Sequence, residues 1–376
     1  MKRVLHVIDH LGLGGAQAVL LDLVTLTDPL KWHCEVAVMH GRGLFAEILE
    51  QRGIKVHSLS PSLWPPRYFS SFVQLQRQFD LLHFHLSGAN WIAKPLAAMV
   101  GEQPRIVHDH ASADLRFRGV GSMLIDAIMH RFSSHTIAVA PEVKNFLMHY
   151  EALSSGDITV IPNGVNTQIF RPFTVNEKRE ARQLFNLQEE DIVIGTVGRL
   201  AAEKNQKMFL QAAKKALQQG LQAIFLIAGT GPEEEVLRKL ARELGIAEQV
   251  RFLGQVQDRI SLYRAFDLFA LTSSFEGLPM VILEAMASGI PVVSTDLEGI
   301  HHALEGGRYG TLVPADNSEI LAQVFLQYNK HHQKQLIENA RSKVERDFSA
   351  VQAAMQVGWL YESLYTDKEK KRNLQG

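Results

Sequence analysis

Apolar and polar positions alternate in blocks along this chain. Short β-branched runs give way to turns of glycine or small polar residues, and then to longer segments with apolar residues at helical spacing. Val4-Leu5-His6-Val7-Ile8 predicts a buried first strand, followed by Gly12-Leu13-Gly14-Gly15 and an apolar helix over 16–26. Further strands are expected over 33–39, 56–59, 80–85, 105–108, 136–140 and 159–161, with helices over 43–52, 90–100 and 142–150. After the turn Pro162-Asn163-Gly164-Val165 and an irregular Phe170-Arg171-Pro172, the alternation restarts with a strand over 191–197. Strands over 223–228 and 250–254 and helices to 220, over 233–244 and over 258–265 lead to LTSSFEGLPMVILEAMASGIPVVST, residues 271–295. That stretch reads as strand end, loop, helix over 279–288, and strand over 292–295. Alternation of this kind builds parallel sheets covered by helices. The fold class is therefore α/β, with two Rossmann-like doubly wound domains over 1–168 and 169–349 and ligand expected in the cleft between them.

A length of 376 residues agrees with two domains, since single cores stop growing near 250–300 residues. Apolar content of 46% and charged content of 21% describe an ordinary globular protein, and a net charge of −1 gives no global basic field for nucleic acid. Cys34 is the one cysteine, so no internal disulfide forms, and no Cys/His spacing resembles a zinc site. The apolar run behind Lys2-Arg3 is too short for a signal peptide and no later stretch approaches a membrane span. A cytoplasmic protein is expected on these grounds.

Candidate chemistry gathers at predicted strand ends. Glu276 lies in the loop before the 279–288 helix, and Glu284 lies inside that helix among Val281, Ile282, Leu283, Ala285 and Met286. A carboxylate so placed requires a partner; a helix cap for Glu276 and a buried structural pair for Glu284 are the plain alternatives to ligand binding. Backbone N–H groups near Gly277, Leu278 and Pro279 offer an anion seat at a helix start. Gly198-Arg199-Leu200 and Glu203-Lys204-Asn205 follow the 191–197 strand, where Arg199 as a fork and Lys204 as a point charge suit a diphosphate. Gly14-Gly15 forms a second phosphate-friendly turn; a nicotinamide dinucleotide would call for glycine where Gln17 stands, although Glu35 follows at a suitable distance. His83, His85, His108 and His110 sit on neighbouring strand ends, but no suitably spaced carboxylate joins them, so no metal is expected and His110 is taken as a substrate contact. The aromatic loop over 60–70 reads as a surface loop tucked down by its own aromatics, or as one that lines an acceptor site or touches a membrane surface. The segment over 115–132, with Arg116, Arg118 and Arg131 among apolar residues, reads as a packed helix or one resting on anionic lipid.

Taken together, the chain resembles the retaining family 4 glycosyltransferases of the GT-B fold over nearly its whole length. The resemblance rests on Gly14-Gly15, Ile161-Pro162-Asn163-Gly164-Val165, Gly198-Arg199-Leu200 with Glu203-Lys204-Asn205, Gly229-Thr230-Gly231-Pro232, and Glu276-Gly277-Leu278-Pro279 with Glu284. It departs from the family pattern at Gln17 and Ala140. It implies a nucleoside-diphosphate-sugar donor, a glycan or lipid-linked acceptor, and a role in cell-surface polysaccharide or lipopolysaccharide synthesis. Arg199 and Lys204 would neutralise the leaving diphosphate, with Gly277 and Leu278 holding the same phosphates. Glu284 would accept from ribose hydroxyls and Glu276 from sugar hydroxyls. His110 would touch the sugar, and Gly14-Gly15 would lie near the diphosphate and acceptor. The reaction would retain anomeric configuration with no cofactor or metal, in keeping with the lack of an Asp-x-Asp triplet. The last helices, about 350–376, would return to the first domain, with a solvated tail over 368–372, and peripheral contact with an anionic membrane is one expectation. A non-catalytic sugar-nucleotide or glycan-binding protein of the same fold is the alternative.

Overall fold

The computed structural model describes residues 1–12, 14–59, 66–110, 120–328 and 334–375. The chain divides into two compact units, Met1–Gly164 with Ser349–Gly376, and Val165–Phe348. The division expected after residue 168 thus falls inside the second unit. Both units are parallel sheets flanked by helices, because apolar runs such as Val4-Leu5 and Val7-Ile8 bury both strand faces and need cover on each side.

In the first unit the strands are β1 (Lys2–Ile8), β2 (Trp32–Val38), β3 (Val56–Ser58), β4 (Leu81–His85), β5 (Arg105–Asp109), β6 (His135–Ala138) and β7 (Ile158–Val160). Their order is β3-β2-β1-β4-β5-β6-β7. The return helix runs over Ala350–Gln375 and packs on the helix Gly15–Leu26. It includes the 368–372 stretch expected as a tail. Most of the aromatic loop over 60–70, and the part of the 115–132 segment that holds Arg116 and Arg118, lie outside the described residues. Pro66–Gln76 and Val120–His130 are helical.

The second unit holds β8 (Ile192–Val197), β9 (Ala223–Ala228), β10 (Val250–Gly254), β11 (Leu268–Leu271), β12 (Val292–Thr295) and β13 (Thr311–Val313), ordered β10-β9-β8-β11-β12-β13. Its core is built on Phe209, Phe225 and Phe325, whose rings meet 5.7–5.9 Å apart. The region after Phe170, irregular by sequence pattern, contains a helix, Val175–Leu184. It starts from a capping box: Thr174 Oγ1 accepts from the Glu177 N–H at 3.2 Å, and Glu177 accepts from the Thr174 N–H at 2.8 Å. In each sheet the strand order reverses once, between β1 and β4 and between β8 and β11. Loops diverge at such a point and leave room for ligand at the carboxyl ends.

Asp267, immediately before β11, fixes that strand to its neighbours. It accepts from the Val193 N–H at 2.8 Å, from Arg182 at 2.6 Å and from Lys178 at 2.7 Å, and is buried. Burial pushes its carboxyl up, but Lys178, Arg182 and the Val193 N–H outweigh that and hold it below the usual range. Asp267→Asn should lower the unfolding free energy by about 3–5 kcal/mol, since the buried Arg182 loses its counter-charge. A group depressed in this way stabilises above its unfolded pKa and ceases to do so as pH falls through the folded value. Denaturant melts of both proteins should therefore differ at neutral pH and converge below about pH 4.

Candidate active site

The loops leaving β8 and β11 carry the charged residues of the second unit. Gly198 donates its N–H to Ala228 O at 3.0 Å, and Leu200 donates to Thr230 O at 2.9 Å, so the β8 loop lies along the β9 loop. Gly229 has φ +140°, and a Cβ there would stand 1.8 Å from the Gly198 carbonyl oxygen, so only glycine permits this approach. A single helical turn, Ala202–Lys204, then ends at Asn205 in the left-handed region with φ 45°, which asparagine tolerates better than most residues. Asn205 caps the helix Gln206–Gln218 by accepting from the Met208 N–H at 3.4 Å, and donates to Asp316 at 2.7 Å.

This turn aims Lys204 at the β11 loop, where Nζ lies 2.6 Å from Glu276 Oε1. Ser273 Oγ donates to the same oxygen at 2.6 Å. Two further ties hold the loops together: the Ser274 N–H donates to Glu203 O at 2.8 Å, and the Thr272 hydroxyl donates to Lys204 O at 3.2 Å. Arg199 pairs with Glu203 at 3.0 Å and its side chain is 66% exposed, so its planar fork faces solvent. Lys204, Arg199 and Glu276 are thus brought to one switch point, as the sequence anticipates.

Gly277, Leu278 and Pro279 lead into the helix Met280–Ala287, which Gly289 ends with φ +76°. Gly299, unremarked in the sequence, is as constrained as Gly229: a Cβ there would stand 1.8 Å from Gly277 O. Glu284 is held in the buried pairing that the sequence leaves open as the alternative to ligand binding. Its side chain is 1% exposed, with Oε1 2.7 Å from Arg259 and Oε2 accepting from the Tyr263 hydroxyl at 2.8 Å. Both of its oxygens have internal partners, because helix Arg259–Ala265 packs its cation and phenol against them. Burial pushes the Glu284 carboxyl up, and Arg259 and Tyr263 pull it down without cancelling that push. Neither Arg259 nor Tyr263 stands out in the sequence, since contacts between two helices leave no local spacing signal.

In the first unit Gly14 precedes the helix Gly15–Leu26, and the Gln17 side chain folds back over it to within 3.4 Å of His10. Asp9, just past β1, accepts from the Gly88 and Ala89 N–H groups at 2.9 and 2.6 Å and ties β1 to the β4 loop. Glu35 is engaged by Arg3 at 2.7 Å, His57 at 2.5 Å and His33 at 3.2 Å, so it is not open for the ribose of a dinucleotide. His110 follows β5, and its ring stacks on His108 with centroids 4.1 Å apart. His83 and His85 share one face of β4, as their spacing implies, at 4.3 Å.

Arg259→Met should cost about 3–5 kcal/mol, because Glu284 is then buried with no cation. Its carboxyl is pushed still further up, so the loss should shrink as pH is lowered and the group takes a proton. Urea unfolding at pH 5 and pH 8 measures this; an equal loss at both would mean the pair is not electrostatically coupled.

Residues 13–169 match the family Glycosyltransferase Family 4, and residues 177–343 match Glycosyl transferases group 1. The chain is similar to the D-inositol 3-phosphate glycosyltransferase of Corynebacterium jeikeium, 31% identical over 66% of this chain and 64% of the relative. It is also similar to the UDP-Gal:alpha-D-GlcNAc-diphosphoundecaprenol alpha-1,3-galactosyltransferase of Escherichia coli, 24% identical over 78% of each. Among solved structures, Anabaena Alr3699/HepE in complex with UDP-glucose superposes with a TM-score of 0.87 at 23% identity, over 96% of this chain and 100% of that one. With both halves matched in succession and this architecture, the chain belongs to the group 1 glycosyltransferases of the GT-B fold.

Proposed function

We propose that this glycosyltransferase takes its sugar from a nucleoside-diphosphate donor held by the second unit. The acceptor is a glycan or a lipid-linked glycan in cell-surface polysaccharide or lipopolysaccharide assembly. The observation that carries the reading is the juxtaposition of Lys204 and Glu276, 2.6 Å apart at the switch point, with Arg199 on the same loop. The names of the relatives support it: one is a galactosyltransferase acting on a diphosphoundecaprenol-linked sugar, another a lipopolysaccharide core mannosyltransferase of Rhizobium meliloti.

Charge develops on the diphosphate as the glycosidic bond breaks, and fixed cations there stabilise the transition state more than the ground state. Lys204 meets that charge as a point donor, and Arg199 supplies the bidentate fork. Backbone N–H groups at Gly277 and Leu278 add neutral donors. Binding of the diphosphate draws Lys204 away from Glu276 and frees that carboxylate to accept from sugar hydroxyls. Glu284 accepts from ribose hydroxyls once Arg259 yields one of its contacts. In the first unit, Gly14, Gly15 and His110 serve the sugar and acceptor end. The anomeric configuration is retained by attack on the face from which the phosphate leaves, with a leaving phosphate oxygen taking the acceptor proton. Arg199 and Lys204 do the work a divalent cation does elsewhere, so no metal or other cofactor takes part.

A peripheral membrane contact fits a lipid-linked acceptor. Helix Val120–His130 exposes Leu124, Ile125 and Ile128, with Arg131 at its end. No helix among the described residues is long and apolar enough to cross a membrane.

Thermal-shift titration with UDP, GDP, ADP and their sugars, with NAD as control, should show stabilisation by one nucleoside diphosphate and none by NAD. Lys204→Ala should reduce turnover by roughly two to three orders of magnitude; near-wild-type turnover would remove Lys204 from the reaction. Co-sedimentation with liposomes should increase with anionic lipid and fall in a Leu124→Ser/Ile128→Ser double variant. Indifference to lipid charge would end the membrane assignment.

A further inference from the structure

Five histidines, His6 on β1, His83 and His85 on β4, His108 on β5 and His110 just beyond it, form one continuous cluster inside the first unit. Each imidazole brings two ring nitrogens into this buried cluster, and each needs a partner. Their mutual contacts do not satisfy them. The Tyr361 hydroxyl lies 2.6 Å from His83 Nδ1 and 3.3 Å from His6 Nε2. His6 Nδ1 lies 3.1 Å from His85 Nε2, and His85 Nδ1 lies 3.3 Å from His110 Nε2. That leaves His83 Nε2, both nitrogens of His108 and His110 Nδ1 buried with no hydrogen-bond partner among the described residues. A natural core rarely keeps such groups without something to bind them.

We propose that His85, His108 and His110 hold a transition-metal cation, zinc by preference, as a structural centre at the carboxyl ends of β4 and β5. One ring nitrogen from each lies within 4.8 Å of the other two. A tetrahedral zinc with bonds of about 2.0–2.1 Å sets its ligand nitrogens about 3.4 Å apart. His85 Nδ1 and His110 Nε2 already stand 3.3 Å apart, so the His108 ring is the one that must close in. Access comes from a cavity of about 160 Å³ lined by His108, His110, Asp109, Ser87, Asn90 and Lys94, with room for a water as fourth ligand. Lys94 in that lining donates to Ser133 Oγ at 3.0 Å, and Asp109 and Asp126 line the same cavity with carboxylates that offset its charge. An all-imidazole set selects zinc, cobalt, nickel or copper over magnesium or calcium, which prefer oxygen. The site is thus distinct in chemistry from a diphosphate-bound divalent ion, and Arg199 and Lys204 belong to the other unit. Its consequence for the protein is to fix the orientation of the His110 ring through its ligating nitrogen.

The test uses the full untagged chain, stripped with a chelator and dialysed. Elemental analysis after equilibrium with Zn²⁺ should give about one metal per chain and a raised melting temperature, and Co²⁺ should give the visible absorption of a tetrahedral nitrogen-ligated ion. His108→Gln and His108→Phe should both lose the bound metal and the cobalt spectrum while an exposed control, His301→Ala, keeps them. Substoichiometric zinc and a featureless cobalt spectrum in the wild-type chain would overturn the proposal, as would retention of both signals in the folded His108 variants. The wild-type cobalt spectrum decides the matter even if neither His108 variant folds. Binding of UDP or its sugars is not part of the readout, so failure here leaves the donor assignment standing.

Discussion

Backbone meets backbone at the carboxyl edge of the second sheet, with no side chain between. Gly229 rests on the Gly198 carbonyl and Gly299 on the Gly277 carbonyl, each so close that a methyl group would have to stand 1.8 Å from oxygen. A larger residue at either place would push a whole loop outward, because carbonyl and sheet behind it cannot yield as a flexible side chain can. The geometry of Arg199, Lys204 and Glu276 depends on this contact. It sets where the β8 loop begins its single helical turn and where the β11 loop enters its helix. The polar ties between these loops refine an arrangement that close approach has already decided.

Charge is handled in two ways in the same unit. Asp267 and Arg182 are buried together, and their value lies in holding β11 in register with β8, since removing one leaves the other stranded. Lys204 and Glu276 are partly open to solvent, so their attraction is modest and each can be released to a ligand at small cost. Glu284 with Arg259 and Tyr263 lies between these extremes: a paired, hydrogen-bonded acid inside the helix Met280–Ala287. Preorganisation of this sort reduces the rearrangement left to the reaction itself.

Legibility in the sequence followed the range of the interactions. Strand runs such as 223–228 and 292–295 are readable because burial on both faces writes itself as consecutive apolar or small residues. Lys204 and Glu276 were readable as strand-end charges, and the order of the motifs placed them in one family. The three-residue strand Thr311–Val313 was not readable, being too short to carry a period, and the Thr174 capping box went unnoticed amid residues that look irregular. Arg259 facing Glu284 was beyond reach for another reason: the two meet only after separate helices pack. The histidines were legible singly by their alternation on β4, yet their convergence depends on β1 lying beside β4 and β4 beside β5, which is a property of the sheet order.

The placement of the helix Ala350–Gln375 has a consequence for the order in which the protein is made. Tyr361 stands fully buried among His6, His83 and Trp32, so the core that β1 begins is closed by a residue 355 positions further along the chain. The second unit, encoded entirely in between, can complete itself while the first still lacks a wall. During synthesis the surface around His6, His83 and Trp32 therefore stays uncovered until the helix Ala350–Gln375 is made and docks.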